Sequence, residues 1–268
     1  MSKKAKQCKV VLITGASKGI GRATAEFLKD KGYVVYGISR SKPENIDFNH
    51  YTCDVTDYDR YREILDEIKN KEGHIDILIN NAGMGISGSI EGTKPDDISR
   101  LFNINVNALI TLTSITLPYL RESKGNVVNI GSVAGPIPIP FQACYSASKS
   151  AIETFSLALD MEVRDYGVRV TCVRPGDTKT SFTDSRVKSE MSQDNVYADR
   201  INRSVSKMEK DEQNGVPPVK VSKVIYKTLK RKHPPLVVTV GFGYKFLCGI
   251  AKILPNCLKN KIIKLLYG

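Results

Sequence analysis

The stretch KVVLITGASKGIG, Lys9 to Gly21, decides the reading of this chain. Its first half, Lys9 to Thr14, is a continuous apolar run of strand length; its second half is a glycine-rich turn that opens a helix over about Ile20 to Lys31. A run without alternation suits a strand covered on both faces. The same alternation of short β-branched runs and helical periods continues down the chain. Strands are predicted over Tyr33 to Ile38, His50 to Cys53, Ile75 to Ile79, Asn126 to Ile130, Val168 to Val173 and Leu236 to Val240. Helices are predicted over Tyr58 to Lys69, Asp97 to Leu120 and Tyr145 to Tyr166. Strand, helix, strand in this order means parallel pairing through right-handed crossovers. The expected fold is α/β: a single doubly wound Rossmann-type domain, a parallel sheet with helices on both faces, over residues 1–240. In that fold ligands bind beyond the carboxyl ends of the strands.

Composition sets the outer bounds. The 268 residues are 41% hydrophobic and 25% charged, enough to bury a large core without metal or disulfide. No apolar run reaches the roughly eighteen residues of a membrane span, and the N-terminus shows no signal-peptide pattern. The expected compartment is therefore the cytoplasm, with the six scattered cysteines reduced. The three histidines are too dispersed for a metal centre, so no metal is expected. The net charge of +12 is unevenly placed: eleven Lys or Arg and no acid follow Glu212, leaving +1 for the first 212 residues. A basic tail on a nearly neutral body argues against nucleic-acid binding.

The residues that follow the strands carry the chemistry. The glycine turn contains Gly15, Ser17, Lys18, Gly19, Ile20 and Gly21. It lets the backbone approach a phosphate at a helix N-terminus. After the second strand a carboxylate would meet a free ribose 2′-hydroxyl. Here stand Ser39 and Arg40 instead, and Arg40 with Lys18 favours a 2′-phosphate, hence NADP(H). Tyr-x-x-x-Lys occurs twice, at Tyr145/Lys149 and Tyr226/Lys230. On a helix the lysine shares the tyrosine's face, stabilises phenolate and lowers its pKa from about 10. Only Tyr145 follows a strand with a serine, Ser132, at its end, so Tyr226/Lys230 reads as ordinary amphipathic helix.

TGASKGIG (Thr14 to Gly21), NNAG (Asn80 to Gly83), Asn105, Ser132, YSASK (Tyr145 to Lys149) and PGDTKT (Pro175 to Thr180) together resemble the short-chain dehydrogenase/reductases. The resemblance covers about residues 8–182. Within the family it looks most like the 17β-hydroxysteroid dehydrogenase branch, which also holds retinol dehydrogenases and lipid ketone reductases. It implies Tyr145 as general acid/base and Lys149 as its tuner and ribose holder. Ser132 would orient the substrate oxygen, and Asn105 would hold a water linking Lys149 to solvent. Asp54 and Val55 would flank adenine, Asn81, Ala82 and Gly83 would line the cofactor, and Pro175, Gly176, Thr178 and Thr180 would meet the nicotinamide end.

Met84, Ile86, Ile137, Ile139, Phe141 and Phe182 make an apolar pocket the expected substrate site. The expected function is an NADP(H)-dependent oxidoreductase interconverting a hydrophobic ketone and secondary alcohol, a steroid or bile acid first. Reduction of a phosphorylated or CoA-linked lipid ketone is the alternative, and a non-catalytic NADP-binding sensor is the reading of another class. Residues 183–215 are polar and poorly periodic, as in a mobile lid. Residues 241–268 form a basic amphipathic extension, broken at Pro255, for pocket closure, a homodimer or homotetramer interface, or peripheral membrane contact.

Overall fold

The computed structural model describes residues 8–183, 185–189 and 196–267. Its centre is a seven-stranded parallel sheet in the order β3-β2-β1-β4-β6-β7-β9. The strands are β1 (Val10–Thr14), β2 (Val34–Ser39), β3 (Asn49–Thr52), β4 (Ile77–Asn80), β6 (Asn126–Ile130), β7 (Arg169–Arg174) and β9 (Val237–Thr239). A separate parallel pair joins β5 (Ile86–Ser87) to β8 (Val187–Lys188). The helices are α1 (Gly19–Asp30), α2 (Tyr58–Glu72), α3 (Pro95–Phe102), α4 (Leu109–Ser123), α5 (Ala143–Val163), α6 (Ala198–Gln213), α7 (Pro218–Leu229), α8 (Phe242–Ile253) and α9 (Asn256–Tyr267).

Alternate residues of the central strands feed two cores, which is why those strands are largely apolar, whereas β3 at the sheet edge reads Asn-His-Tyr-Thr. Leu12, Ile38, Leu78, Val127 and Val170 face one layer with Tyr61, Ile64, Leu65 and Leu112. Val11, Ile13, Val35, Ile79 and Val128 face the other, with Ala25, Leu28, Val221 and Ile225 of α1 and α7. Tyr226 packs edge-on against Phe27 and Tyr33 at 5.8 and 6.3 Å, the amphipathic role expected of it. Between β1 and β4 the order reverses, and the carboxyl ends of the strands there open a cleft.

The structure redraws several expected boundaries. Strand β2 runs one residue further, to Ser39, because Ser39 pairs with Thr52 of β3. Helix α5 starts at Ala143, which places Tyr145 third in the helix rather than first. The expected helix Asp97 to Leu120 is part of a longer one in which a π-helical turn, Asn103–Ala108, separates α3 from α4. By length and mean hydropathy (1.2) this Pro95–Ser123 stretch could cross a membrane, but here Leu109, Leu112, Thr113, Thr116 and Leu120 are buried in the fold. The expected lid is in large part regular: residues 198–213 form α6, whose Ile201, Ser204, Val205 and Met208 are buried on one face. Residues 184 and 190–195 of that segment lie outside the described residues. The extension divides at Pro255 into α8 and α9 as expected.

Candidate active site

At the cleft, β1 ends in Thr14 and the chain turns through Gly15 at φ 68°. A Cβ on Gly21 would lie 2.2 Å from the Gly15 carbonyl oxygen and 2.4 Å from Asn81 Nδ2, so only glycine lets α1 begin this close to β1. Thr14 Oγ1 accepts hydrogen bonds from the Asn81 and Ala82 amides at 3.0 and 3.1 Å. Asn81 Nδ2 donates back to the Thr14 and Gly15 carbonyls at 3.0 and 3.1 Å. These bonds knot β1 to β4 at the switch point and hold the turn open toward the cleft. No side chain among the described residues caps α1 at Lys18, and its first turn carries no acid. Its leading N–H groups and positive dipole end suit an anion. A Cβ on Gly19 (φ 58°) would close on the Thr180 Cβ at 3.4 Å, across the space a dinucleotide needs.

Every expected cofactor residue except Gly21 lines one cavity of about 490 Å³. Gly21 lies behind it, where its lack of a side chain shapes the turn. Arg40 and Lys18 stand at the rim without an ion-pair partner among the described residues. Ser39 is a brace, its Oγ bonded to His50 Nε2 at 2.7 Å and to the Ser41 carbonyl at 2.9 Å. Asp54 turns its carboxylate to the Thr56 amide and hydroxyl at 3.0 and 2.8 Å. The residues fit a dinucleotide: an open helix start at one end, two cations beside β2, and Thr178 and Thr180 at the other end.

Three of the four expected catalytic residues meet on the cavity wall: Ser132, Tyr145 and Lys149. The Ser132 hydroxyl faces the Tyr145 hydroxyl, and its Oγ also accepts from the Ala134 amide at 3.1 Å. Lys149 is buried one helical turn below Tyr145, donating from Nζ to the Ile130 carbonyl at 2.9 Å. Burial lowers this ammonium to about 8. The expected pull of Lys149 on the phenol is not what the structure shows. Burial pushes Tyr145 up to about 12, opposed by its Ser132 hydrogen bond, while Glu212 raises it further and Arg186 lowers it. The Lys149 Nζ lies 5.7 Å from the Tyr145 ring centre and spends a bond on Ile130. Tyr145 is thus protonated at neutral pH and suited to give a proton.

Asn105 lies off the cavity wall. From the π-helical turn its Oδ1 accepts from the Met84 amide at 2.8 Å, and its Nδ2 donates to the Met84 carbonyl and to Ser148 Oγ at 2.9 and 3.0 Å. The side chain clamps the Met84 loop to α5, so any water relay at this residue has to use its main chain. A π turn displaces main-chain groups from their regular partners and is frequent at functional sites.

A family model for short chain dehydrogenases matches residues 9–191. This chain is a short chain dehydrogenase. It is an oxidoreductase of a fold that binds NAD(P). The dehydrogenase is 39% identical over 266 residues to a 3-ketodihydrosphingosine reductase of Bacteroides thetaiotaomicron, covering 98% of this chain and 99% of that one. A short-chain dehydrogenase from Streptomyces avermitilis, solved by crystallography, superposes with a TM-score of 0.80 at 30% identity, over 94% of each chain. ElxO, solved with NADP bound, superposes with a TM-score of 0.71 at 27% identity, over 89% of this chain and 99% of its own. The hydroxysteroid branch finds no specific support in these relatives.

The substrate end divides the expected apolar residues. Met84, Ile139 and Phe182 line the cavity. The other three are core: Ile86 in β5, Ile137 against Cys248 and Ile263, and Phe141 packed on the Ile201, Val205 and Met208 cluster. Asp177 and Glu212 line the cavity without having been expected there. Glu212 sits in the run Glu209 to Glu212, which reads as solvated surface. Tyr244 of α8 covers Gly176 and bonds its hydroxyl to Asp177, so the inner face of the extension builds the cavity wall.

Proposed function

We propose that this dehydrogenase reduces, with NADPH, the ketone of a long-chain amino-alcohol lipid of the 3-ketodihydrosphingosine kind. The observation that carries this reading is the pair of hydroxyls, Ser132 and Tyr145, at the junction of a nucleotide cradle and a substrate end walled by Met84, Ile139 and Phe182. The Bacteroides reductase supports the substrate, because the likeness runs the length of both chains, through α6 and α8, which bring Glu212 and Tyr244 to the cavity. A lipid ketone of this kind takes precedence over the steroid or bile acid expected first, and it is neither phosphorylated nor CoA-linked.

Gly15, Gly19 and the start of α1 would hold the pyrophosphate, Arg40 and Lys18 the 2′-phosphate, and Lys149, Thr178 and Thr180 the nicotinamide end. The bound cofactor supplies a hydride to the carbonyl carbon. Ser132 donates a hydrogen bond to the carbonyl oxygen, and Tyr145 gives that oxygen its proton, leaving a secondary alcohol. Holding donor and acid in one frame accounts for much of the acceleration in such a reaction. Lys149 stays bonded to the Ile130 carbonyl at the nicotinamide end, and the Ser132 hydrogen bond steadies the phenolate left behind. Tyr145→Phe is expected to abolish NADPH oxidation at 340 nm with 3-ketodihydrosphingosine and to leave NADPH binding intact. Unchanged turnover would overturn the assignment and favour the non-catalytic sensor.

The extension fits a lipid substrate. Its inner face, with Tyr244, Cys248 and Ile263, closes on the domain. Its outer face exposes Phe242, Phe246, Ile253 and Leu265 along with Lys245, Lys252, Lys261 and Lys264. A two-fold contact between copies through this face would set lysines against lysines. An anionic membrane surface accepts both the apolar and the cationic groups. The protein accordingly works as a peripheral membrane enzyme on the cytoplasmic side, with other faces left for a homodimer or homotetramer.

A further inference from the structure

We infer that Glu212 selects the substrate, its carboxylate taking the ammonium next to the reacting ketone while Arg186 holds that carboxylate in place; this rests on the ketone-reductase reading above. Glu212 reaches the cavity from the end of α6. Its Oε1 accepts from Arg186 Nη2 at 2.5 Å and its Oε2 from Thr183 Oγ1 at 2.6 Å. The side chains are 1% exposed for Arg186 and 18% for Glu212. A carboxylate has about four acceptor positions, so two remain after these bonds.

Taking an ion pair out of water costs several kcal/mol per ion and adds little net stability, so the place of this one calls for a reason. Its surroundings supply one. Arg186 stacks over the Phe182 ring at 5.9 Å, and that ring lies 5.8 Å from the Tyr145 ring. The Glu212 charge also reaches the Tyr145 hydroxyl, which it pushes upward. The carboxylate therefore sits in the layer where the carbonyl is protonated. Arg186 Nε and Nη1 are buried with no acceptor among the described residues. The cavity thus has unspent acceptors on Glu212, while Arg186 stays behind it as the buried support of that carboxylate.

The neighbouring carboxylates are engaged. Asp177 takes the Tyr244 hydroxyl, Asp211 pairs with Lys207 at 3.1 Å, and Lys188 pairs with Glu209 at 3.1 Å. An amino-alcohol ketone complements what is left. With its ketone oxygen at Ser132 and Tyr145, its ammonium is one carbon away, within the polar layer of Glu212. Its alkyl chain leaves along Met84 and Ile139. An acyl ketone without the amine leaves the Glu212 charge unanswered.

The test compares kcat/KM for 3-ketodihydrosphingosine with that for 1-hydroxy-3-octadecanone, the same chain without the amine. Both are presented in mixed micelles with NADPH to the wild-type enzyme and to the Glu212→Gln and Glu212→Asp variants. The wild type is expected to prefer the amino ketone by about tenfold or more, the usual worth of a charged hydrogen bond. Glu212→Gln should bring the ratio close to one, chiefly by raising KM for the amino ketone, and Glu212→Asp should keep part of the preference. Equal wild-type rates on both ketones, or an unchanged ratio in Glu212→Gln, would overturn the inference while the ketone-reductase reading stands. A wild type silent on both would overturn that reading itself. The wild-type ratio decides even if a variant fails to fold.

Discussion

Replacing Lys149 by methionine should stabilise the cofactor-free protein while ending its catalysis. The ammonium is buried, and burial brings it from 10.5 down to about 8. That difference corresponds to about 3 kcal/mol charged against the folded state at pH 7. The Nζ to Ile130 carbonyl bond, 2.9 Å long, returns about 1 kcal/mol and is lost in Lys149→Met. The net gain for Lys149→Met is about 2 kcal/mol, or a Tm rise of about 4–8 °C for a chain of this size. Because the folded protein releases the proton near 8 and the unfolded chain near 10.5, wild-type stability rises between these pH values. Below about 8 the penalty is present in full, and by 10.5 it is gone. Thermal and urea denaturation of wild type and Lys149→Met without cofactor, at pH 7, 9 and 10.5, read this directly. A variant no more stable than wild type at pH 7, or a gap that persists at pH 10.5, would refute the reasoning.

Three other outcomes are expected. Gly21→Ala puts a methyl 2.2 Å from the Gly15 carbonyl oxygen and 2.4 Å from Asn81 Nδ2, so it should cost about 1–3 kcal/mol and weaken NADPH binding, as read by Tm and by fluorescence titration. Arg40→Asp exchanges a cation at the cavity rim for an anion and should move the NADPH-to-NADH preference in kcat/KM toward NADH by about tenfold or more; an unchanged ratio would place the 2′-phosphate elsewhere. Phe246→Glu with Ile253→Glu, both on exposed positions of α8, should release the enzyme from anionic vesicles in a sedimentation assay while sparing turnover of a micellar ketone. Equal sedimentation of this variant and wild type would remove the membrane from the account.

The succession of strands and helices along the chain was legible because each apolar run sits beside its own turn signal, and Gly15 to Gly21 marks the first crossover without help from the rest of the chain; the order of the strands in the sheet came only with the structure. The helix of residues 198–213 was missed although its signal was present: Ile201, Ser204, Val205 and Met208 repeat at helical spacing beneath a heavy load of charge. Glu212 left no such trace, since nothing local distinguishes a carboxylate in a charge run from one turned into a cleft. The apolar residues near the catalytic tyrosine were equally mute about their direction. Ile137 and Met84 are alike in polarity, and only the approach of α8 and α9 makes one of them core. The state of Lys149 depends on burial by residues distant in sequence, so its spacing from Tyr145 revealed the pairing but not the direction in which the two groups are pushed.

The π-helical turn Asn103–Ala108 holds one residue more than regular coiling needs. Removing one residue there would let α3 and α4 fuse into an unbroken α-helix with a full ladder of bonds. The same deletion would rotate everything upstream by about 100° relative to α4. Either Asn105 would swing away from Met84 and Ser148, or α3 would turn its Leu101 out of the core. Chain length at this point is therefore constrained along with the identity of Asn105. A shortened chain would trade its clamp on the Met84 loop for helical regularity, and lineages that lost this residue would be expected to have lost the activity with it.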